Sequence, residues 1–337
     1  MTDPIPAGPG QLVGLGTGEV FVRAAPAAAD AQSAVFVHGL GGSSQNWTDL
    51  MDLLRQPPVS DPAGPALACE ALDLPGFGLS PVPADRDYSV TAQAAAVIAL
   101  IDKRGRWPVH LIGNSLGGAI CTRVAARRPD LVRTLTLISP ALPDLRPRLI
   151  PMQVAVLAVP GVGPWMMNRV QQLPAEDRSS KTIRDVFRDP GLMHELRRAA
   201  ETAELTRRDE LGYANEVLLG SARSLVAEYL RRGPGSLWRD AARVTAPTLI
   251  IHGSHDRLVN PAMAGKAARQ FRNAKVVVLS RMGHVAMMER PDLVAREIRE
   301  LLAATGTAAT GTAATAGSNT AAGTTTGAAP GAPAAHG

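Results

Sequence analysis

The stretch GNSLGGA, residues 113–119, places one serine between two glycines, after the apolar run VHLI and before a sequence typical of a helix. An ordinary turn would explain the glycines and the asparagine, because both tolerate positive φ angles, and chance alone predicts about 0.14 occurrences of Gly-x-Ser-x-Gly at this composition. A nucleophile elbow would instead use a strained strand–turn–helix bend to lift the Ser115 hydroxyl above the edge of a sheet. The rest of the chain decides between the two.

Apolar runs of strand length recur along the chain, separated by segments of helix length. Two short β-like runs, QLVGLG and EVFVRA, are followed by runs typical of strands buried on both faces: SAVFVHG, ALACEALDL, VHLIGN, TLTLIS, TLIIHG and KVVVLS. Helix-length segments lie between them, including 44–55, 89–103 and 116–128. This alternation predicts an α/β fold with a mostly parallel, doubly wound sheet.

The alternation stops after residue 140, and about 105 residues follow without a convincing core strand. We therefore predict a core of residues 1–140 and 246–304 and an inserted helical cap over 141–245. The uncharged stretch 149–167 is long enough to cross a bilayer, but its prolines favour a helix packed over the core. The tail, 305–337, consists mainly of Ala, Gly, Thr and Pro without a charged side chain, and it predicts disorder.

Charge and targeting signals narrow the class of protein. The formal net charge is +5, but the arginines are scattered rather than clustered, which argues against nucleic acid as a partner. The amino terminus has no apolar signal segment, and the only two cysteines, Cys69 and Cys121, fit buried thiols better than a disulfide framework. These features predict a cytoplasmic protein, with contact between the cap and a membrane surface left open.

A serine hydroxyl is a weak nucleophile unless a base takes its proton and a carboxylate orients that base. Asp256, in HGSHDRLVNP, and His284, in SRMGHVAMMERP, each lie just past a predicted strand, at the edge where open α/β sheets bind ligands. Two backbone N–H groups commonly stabilise the oxyanion. We expect these donors to be Leu116, which follows the serine, and Leu40, in the glycine-rich loop HGLGGSSQNW, where His38 is expected to have a structural role.

Five segments, in this order, resemble the α/β-hydrolase superfamily over about residues 19–302: HGLGGSSQNW, DLPGFGLS, GNSLGG, HGSHDRLVNP and GHVAMMERP. The continuation GHVAMMERPDLVAREI is similar to the capped monoacylglycerol-lipase and esterase branch. The resemblance implies a serine hydrolase that cleaves carboxylic esters with an apolar acyl group through an acyl-enzyme. In that enzyme Ser115 is the nucleophile, His284 the general base and Asp256 the acid that orients it.

Several alternatives stay open. Some relatives place the acid where Asp144 lies in this chain. Hydrolases of carbon–carbon bonds, of the meta-cleavage type, share the serine, although they typically carry a tryptophan soon after the histidine. Such an enzyme would need a cap arginine to hold a substrate carboxylate, from the set Arg184, Arg188, Arg197 and Arg198. An acyltransferase would use the same three residues, and a silent binding module would have kept only the fold.

The substrate pocket is the least constrained part of the site. We expect the acyl group to contact apolar side chains of the glycine-rich loop and of the cap entrance, namely Trp47, Trp165, Met166 and Met167. Residues spaced as metal ligands are absent from the sequence, and GLGTG, residues 14–18, precedes a β run rather than a helix. No metal and no cofactor are expected.

Overall fold

The sheet is built from the apolar runs seen in the sequence. The computed structural model describes residues 5–28, 30–57, 64–144 and 155–316, with side chains as far as residue 305. Its strands follow the order β1-β2-β4-β3-β5-β6-β7-β8 across one sheet. They are β1 Gly10–Gly14, β2 Glu19–Ala24, β3 Gln32–Val37, β4 Leu67–Leu72, β5 Val109–Asn114, β6 Val132–Ile138, β7 Thr248–Gly253 and β8 Ala274–Leu279.

The helices occupy both faces of that sheet and the segment between β6 and β7. Short 3-10 turns at Ser44–Trp47, Pro129–Leu131 and Pro190–Leu192 connect some of them. Those of the core are α1 Thr48–Leu54, α2 Val90–Arg104, α3 Leu116–Arg127, α9 Met263–Gln270, α10 Ala286–Glu289 and α11 Pro291–Ala316. Those between β6 and β7 are α4 Val162–Gln171, α5 Ala175–Val186, α6 Glu195–Glu210, α7 Ala214–Leu230 and α8 Leu237–Arg243.

Strand β3 shows why helices must cover both faces of the sheet. Ala34 and Phe36 pack into one apolar cluster with α1 and α11, whereas Val35 and Val37 pack into a second cluster with α2 and α3. A strand that alternates between two buried faces reads as a continuous apolar run. The first two strands pair antiparallel, as do β2 and β4, and the pairings from β4 through β3 to β8 are parallel. The predicted mostly parallel, doubly wound α/β fold is confirmed.

Most of the described residues between β6 and β7 lie in the helices α4–α8, and we call residues 155–245 the helical insertion. A buried guanidinium joins it to the core. Arg123, on α3, donates two hydrogen bonds to Glu228 of α7, at 2.8 and 2.9 Å, and one to Asp240 of α8, at 3.0 Å. The insertion is thereby fixed to the helix that begins directly after Ser115.

The structure describes parts of two segments singled out in the sequence, the tail 305–337 and the uncharged stretch 149–167. The last helix, α11, continues to Ala316, so it enters the segment 305–337 predicted to be disordered; the remainder lies outside the described residues. The uncharged stretch 149–167 lies partly outside them as well, and its described end belongs to α4. Within the described ranges no helix is both long enough and apolar enough to cross a membrane.

Candidate active site

Ser115 lies at the turn between β5 and α3 in a conformation that non-glycine residues rarely adopt. Its φ is 53° and its ψ is −117°. The surrounding backbone holds it there: the Ser115 N–H donates to Ile138 O at 3.1 Å, and the Ser115 carbonyl accepts from Ala141 N at 2.9 Å. Backbone strain of this kind costs on the order of 1–3 kcal/mol and persists only where the surroundings enforce it. The local geometry is that of a strained strand–turn–helix bend.

The glycines around Ser115 are required by close packing. A Cβ atom on Gly113 would lie 2.5 Å from the carbonyl oxygen of Gly117, and a Cβ on Gly117 would lie 2.1 Å from that of Val37. Real Cβ contacts are never this short, so α3 starts against the end of β3 only because both residues lack side chains. A Cβ on Gly39 would in turn lie 3.1 Å from the Ser115 Cβ. The glycine-rich loop after β3 therefore contacts the serine.

His284 and Asp256 are brought together at the carboxyl ends of β7 and β8. His284 Nδ1 lies 2.9 Å from Asp256 Oδ2, and both side chains are buried. Burial raises the pKa of Asp256, but the charge and hydrogen bond of His284, together with further hydrogen bonds such as that from Val259 N–H, hold that pKa below its ordinary value of 3.8. Asp256 is thus a carboxylate that accepts from Nδ1–H, which leaves the lone pair of His284 on Nε2.

The backbone of His284 is held from three directions. Its N–H donates to Val186 O at 2.7 Å, and its carbonyl accepts from Asn114 Nδ2 at 3.2 Å. The N–H of the preceding residue, Gly283, donates to the buried Glu289 carboxylate at 2.6 Å. The same carboxylate accepts from the backbone N–H of Arg188 at 3.0 Å. The loop that carries His284 is therefore tied both to the serine turn and to the helical insertion.

The hydroxyl of Ser115 makes no hydrogen bond to His284 within the described part of the chain. Asn114 connects the two residues, since it precedes the serine and donates a hydrogen bond to the histidine carbonyl. Hydrogen bonds of catalytic groups are often long or poorly aligned before substrate binds. The three candidate residues thus meet at one edge of the sheet, with the histidine–carboxylate pair already formed.

Two backbone N–H groups beside Ser115 have no acceptor within the described ranges, those of Leu40 and Leu116. Leu116 is the first residue of α3, so its N–H has no partner inside the helix. Leu40 follows Gly39, whose carbonyl lies 2.7 Å from His38 Nδ1, and His38 Nε2 accepts from Leu74 N–H at 3.0 Å. Burial lowers the pKa of His38 and keeps its ring neutral. Its two bonds agree with the structural role predicted for it.

The four predicted pocket residues differ in their surroundings. Trp47 is completely buried in the core, with its ring centroid 5.4 Å from that of Phe36, so it cannot line an open pocket. Trp165 is 61% exposed on α4, beneath the guanidinium of Arg169. Met166 and Met167, on the same helix, are partly buried and stay candidates for the acyl pocket.

Sequence reasoning missed three side chains that shape this site. Asn114 and Glu289 hold the histidine loop, and Arg208, on α6, donates to Gly41 O in the glycine-rich loop at 3.0 Å. Asn114 lies in the quoted motif next to the serine, and Glu289 lies in the quoted motif five residues after the histidine. Nothing in their spacing indicated which groups they would bind. Arg208 carried no signal, because many arginines share its helix.

No set of three or more His, Cys, Asp or Glu side chains is arranged to hold a metal ion in the part of the chain that the structure describes. One buried histidine outside the pair has polar partners of its own. His110 lies between Thr134 Oγ1 and Gln32 Oε1, both at 2.8 Å, and burial lowers its pKa to about 4. Cys69 and Cys121 are buried free thiols, as predicted.

A strained serine after a central strand, with a histidine–aspartate pair at the ends of two later strands, defines the class of α/β hydrolases. The sequence model of the alpha/beta hydrolase fold matches residues 35–291, and the chain belongs to this family.

Among its relatives is Lipase 1 of Psychrobacter immobilis, which is 24% identical over 294 residues, 86% of this chain and 84% of that protein. Monoacylglycerol lipase abhd6-B of Xenopus laevis is 26% identical over 277 residues, 81% of this chain and 75% of the relative. A solved structure of a membrane phospholipase A superposes with a TM-score of 0.69 at 23% identity and covers 89% of this chain and 87% of that one. The family and these relatives support an enzyme that hydrolyses ester bonds.

Proposed function

We propose that this protein is a serine hydrolase that cleaves carboxylic esters with an apolar acyl group, of the lipid or monoacylglycerol type, through an acyl-enzyme on Ser115. The observation that carries the proposal is the strained φ of 53° at Ser115, at the same sheet edge as the His284–Asp256 pair. The similarity to lipases and to monoacylglycerol lipases supports the choice of substrate class.

Each group has one role in the reaction. His284 Nε2 takes the proton of the Ser115 hydroxyl while Oγ attacks the ester carbonyl, and the Asp256 carboxylate stabilises the resulting imidazolium. The N–H groups of Leu40 and Leu116 stabilise the negative charge on the carbonyl oxygen. The imidazolium then protonates the leaving alcohol, and a water molecule, deprotonated by the same nitrogen, releases the acid and frees the serine.

The hypothesis is tested by covalent labelling. A fluorophosphonate probe should label one peptide, the one that contains Ser115, and Ser115→Ala should abolish both labelling and hydrolysis of p-nitrophenyl esters. The variant Ser221→Ala, which changes a buried serine of α7 in the helical insertion, serves as the control and should keep the label. Persistent labelling of Ser115→Ala would contradict the proposed nucleophile.

Carbon–carbon cleavage fits the cap arginines less well. Arg197 donates to Asp49, at 2.6 Å, and Arg198 donates to Pro190 O, at 3.0 Å, so two of the four arginines considered for a substrate carboxylate have partners elsewhere. Rates with a meta-cleavage dienoate and with a panel of monoacylglycerols would rank the two reactions. A higher kcat/KM for the dienoate than for every ester would reverse the proposal.

We further propose that the insertion acts as a cap that sets chain-length preference and meets an anionic lipid surface. Val156 and Val159 precede α4, Val162 and Trp165 lie on it, all four are 41–61% exposed, and Arg169 lies over the Trp165 ring. An apolar stripe with flanking cations is the pattern of an interfacial helix. Vesicles of phosphatidylglycerol should bind the protein and raise its activity on long-chain esters, and Val159→Ser with Trp165→Ser should remove both effects. An optimum at acetyl esters without vesicle binding would contradict this proposal.

A further inference from the structure

Arg208 links the helical insertion to the loop that carries a proposed oxyanion donor. Its Nη1–H donates to Gly41 O at 3.0 Å, and this is the one hydrogen bond of its guanidinium within the described residues. The side chain is partly buried, and burial lowers its pKa. A guanidinium remains a cation under such conditions. A positive charge from the insertion therefore rests on a backbone carbonyl next to Leu40.

The peptide groups of this loop form a row that starts at that carbonyl. The Gly41 carbonyl shares a peptide with the Gly42 N–H, which donates to Gly39 O at 3.1 Å. The Gly39 carbonyl shares a peptide with the Leu40 N–H. The C=O and N–H of a trans peptide lie in one plane and point in opposite directions. Each hydrogen bond received at a carbonyl thus fixes the direction of the N–H on the other side of the same peptide.

From this geometry we propose that Arg208 is a positioning residue for the oxyanion hole, which it orients and polarises through two peptide groups that end at the Leu40 N–H. A cation at the Gly41 carbonyl draws electron density from that peptide and strengthens its N–H as a donor. The same effect then passes through Gly39 to Leu40, because hydrogen bonds in a chain polarise one another. The proposal rests on the acyl-enzyme mechanism proposed above.

The loop needs such support because its backbone is permissive. Gly39, Gly41 and Gly42 surround Leu40, and Gly41 has a φ of 75°. His38 also binds the Gly39 carbonyl, from below the loop, so the Leu40 peptide is held from the core and from the insertion. An enzyme whose insertion has moved away would keep the contact from His38 and lose the contact from Arg208. Covering of the site by the insertion and completion of the oxyanion hole are therefore coupled.

The neighbouring Arg207 offers a matched control. It lies on the same helix and also donates to a backbone carbonyl, that of Gly78, at 2.5 Å, and it pairs with Glu204 at 2.7 Å. Its contact joins the same insertion to a different loop. A purely mechanical fastening of the insertion would depend on both arginines alike, whereas support of the oxyanion hole depends on Arg208.

The experiment compares Arg208→Met, Arg208→Lys and Arg207→Met in the full chain. Loss of a direct oxyanion donor lowers kcat by about 10²–10³, and since His38 remains, we expect Arg208→Met to lower it by about tenfold. KM for p-nitrophenyl butyrate should stay within about twofold, because acylation and deacylation slow together. The inhibition constant of a trifluoromethyl ketone, whose adduct carries the oxyanion, should rise about tenfold as well. Arg208→Lys should keep most of the wild-type kcat and inhibitor affinity, and Arg207→Met should resemble the wild type in both quantities.

The outcomes separate this proposal from the mechanism on which it rests. If Ser115→Ala is inactive and Arg208→Met keeps wild-type kcat and inhibitor affinity, the role of Arg208 is wrong and the serine mechanism stands. Equal losses in Arg207→Met and Arg208→Met would also overturn it, in favour of simple fastening. Hydrolysis by Ser115→Ala would refute the underlying mechanism instead. Thermal unfolding of each variant identifies a loss of activity that is due to a loss of fold.

Discussion

Replacing Arg123 with methionine should destabilise the protein strongly, although the side chain touches neither the proposed nucleophile nor the base. The guanidinium is completely buried and donates to five acceptors: twice to Glu228, and once each to Asp240, Thr91 and the carbonyl of Gly235. Methionine fills a similar volume without any donor. The substitution leaves two carboxylates, 2% and 4% exposed, without their common cation.

The expected cost follows from that uncompensated charge. Removing one partner of a buried ion pair costs about 3–5 kcal/mol, because the remaining charge stays in a medium that solvates it poorly. Arg231 lies 3.2 Å from Glu228 and Arg243 lies 3.9 Å from Asp240, and both are more than half exposed, so they compensate in part. We therefore expect a loss of about 3 kcal/mol in the free energy of unfolding, or roughly 10 °C in Tm.

Urea unfolding followed by circular dichroism measures this loss. Arg104→Met, which breaks the partly exposed pair of Arg104 with Glu70, is the control and should cost less than about 1 kcal/mol. Adding Glu228→Gln and Asp240→Asn to Arg123→Met should recover most of the loss, because neutral amides tolerate burial better than carboxylates. The reasoning fails if Arg123→Met costs no more than Arg104→Met, or if neutralising both acids brings no recovery.

Three further predictions concern the site and its support. Asp256→Asn should lower kcat on p-nitrophenyl esters by about 10⁴ while Asp144→Asn stays near wild type, and the opposite result would move the acid to the other aspartate. His110 is buried and neutral, with its pKa lowered from 6.5 to about 4, so the unfolded chain binds the extra proton between those values. His110 should therefore lower the free energy of unfolding by about 3 kcal/mol as the pH drops from 6.5 to 4. Urea unfolding of His110→Gln across this pH range should show a fall that is smaller by that amount than in the wild type. Gly117→Ala should lower the free energy of unfolding by several kcal/mol, because its Cβ would lie 2.1 Å from a carbonyl oxygen. Gly265→Ala, on α9 where a Cβ has room, should raise that free energy by up to about 1 kcal/mol. Equal thermal stability of the two variants would contradict the close-packing argument.

The sheet was predictable because each strand carries its own signal. A run such as TLIIHG, which does not alternate between apolar and polar side chains, is typical of a strand that is buried on both faces, and β7 is buried along its whole length. The candidate serine, acid and histidine were predictable for a related reason, since parallel strands bring their carboxyl ends to one edge. Local composition and chain order were sufficient for both.

The sequence could not reveal contacts that depend on how distant segments meet. Trp47 follows the glycine-rich loop and looks available to a substrate, but α1 turns it into the core against Phe36. Arg208 is one arginine among several on α6, and only the docked insertion brings it to Gly41. Long side chains on an amphipathic helix can reach many positions, so their partners are set by tertiary packing rather than by spacing.

The contacts of the histidine loop divide the insertion into parts with different freedom to change during evolution. Backbone atoms of residues 186–189 hydrogen-bond to His284 and Glu289, so a substitution there that shifts this backbone disturbs the proposed base. Within the described ranges, helix α4 makes no hydrogen bond to that loop. In a library of random variants selected for hydrolysis of a short, water-soluble ester, we expect α4 to accept most substitutions and residues 186–189 to accept few. A lineage could then acquire new substrates by altering α4 while the machinery beneath it is inherited unchanged.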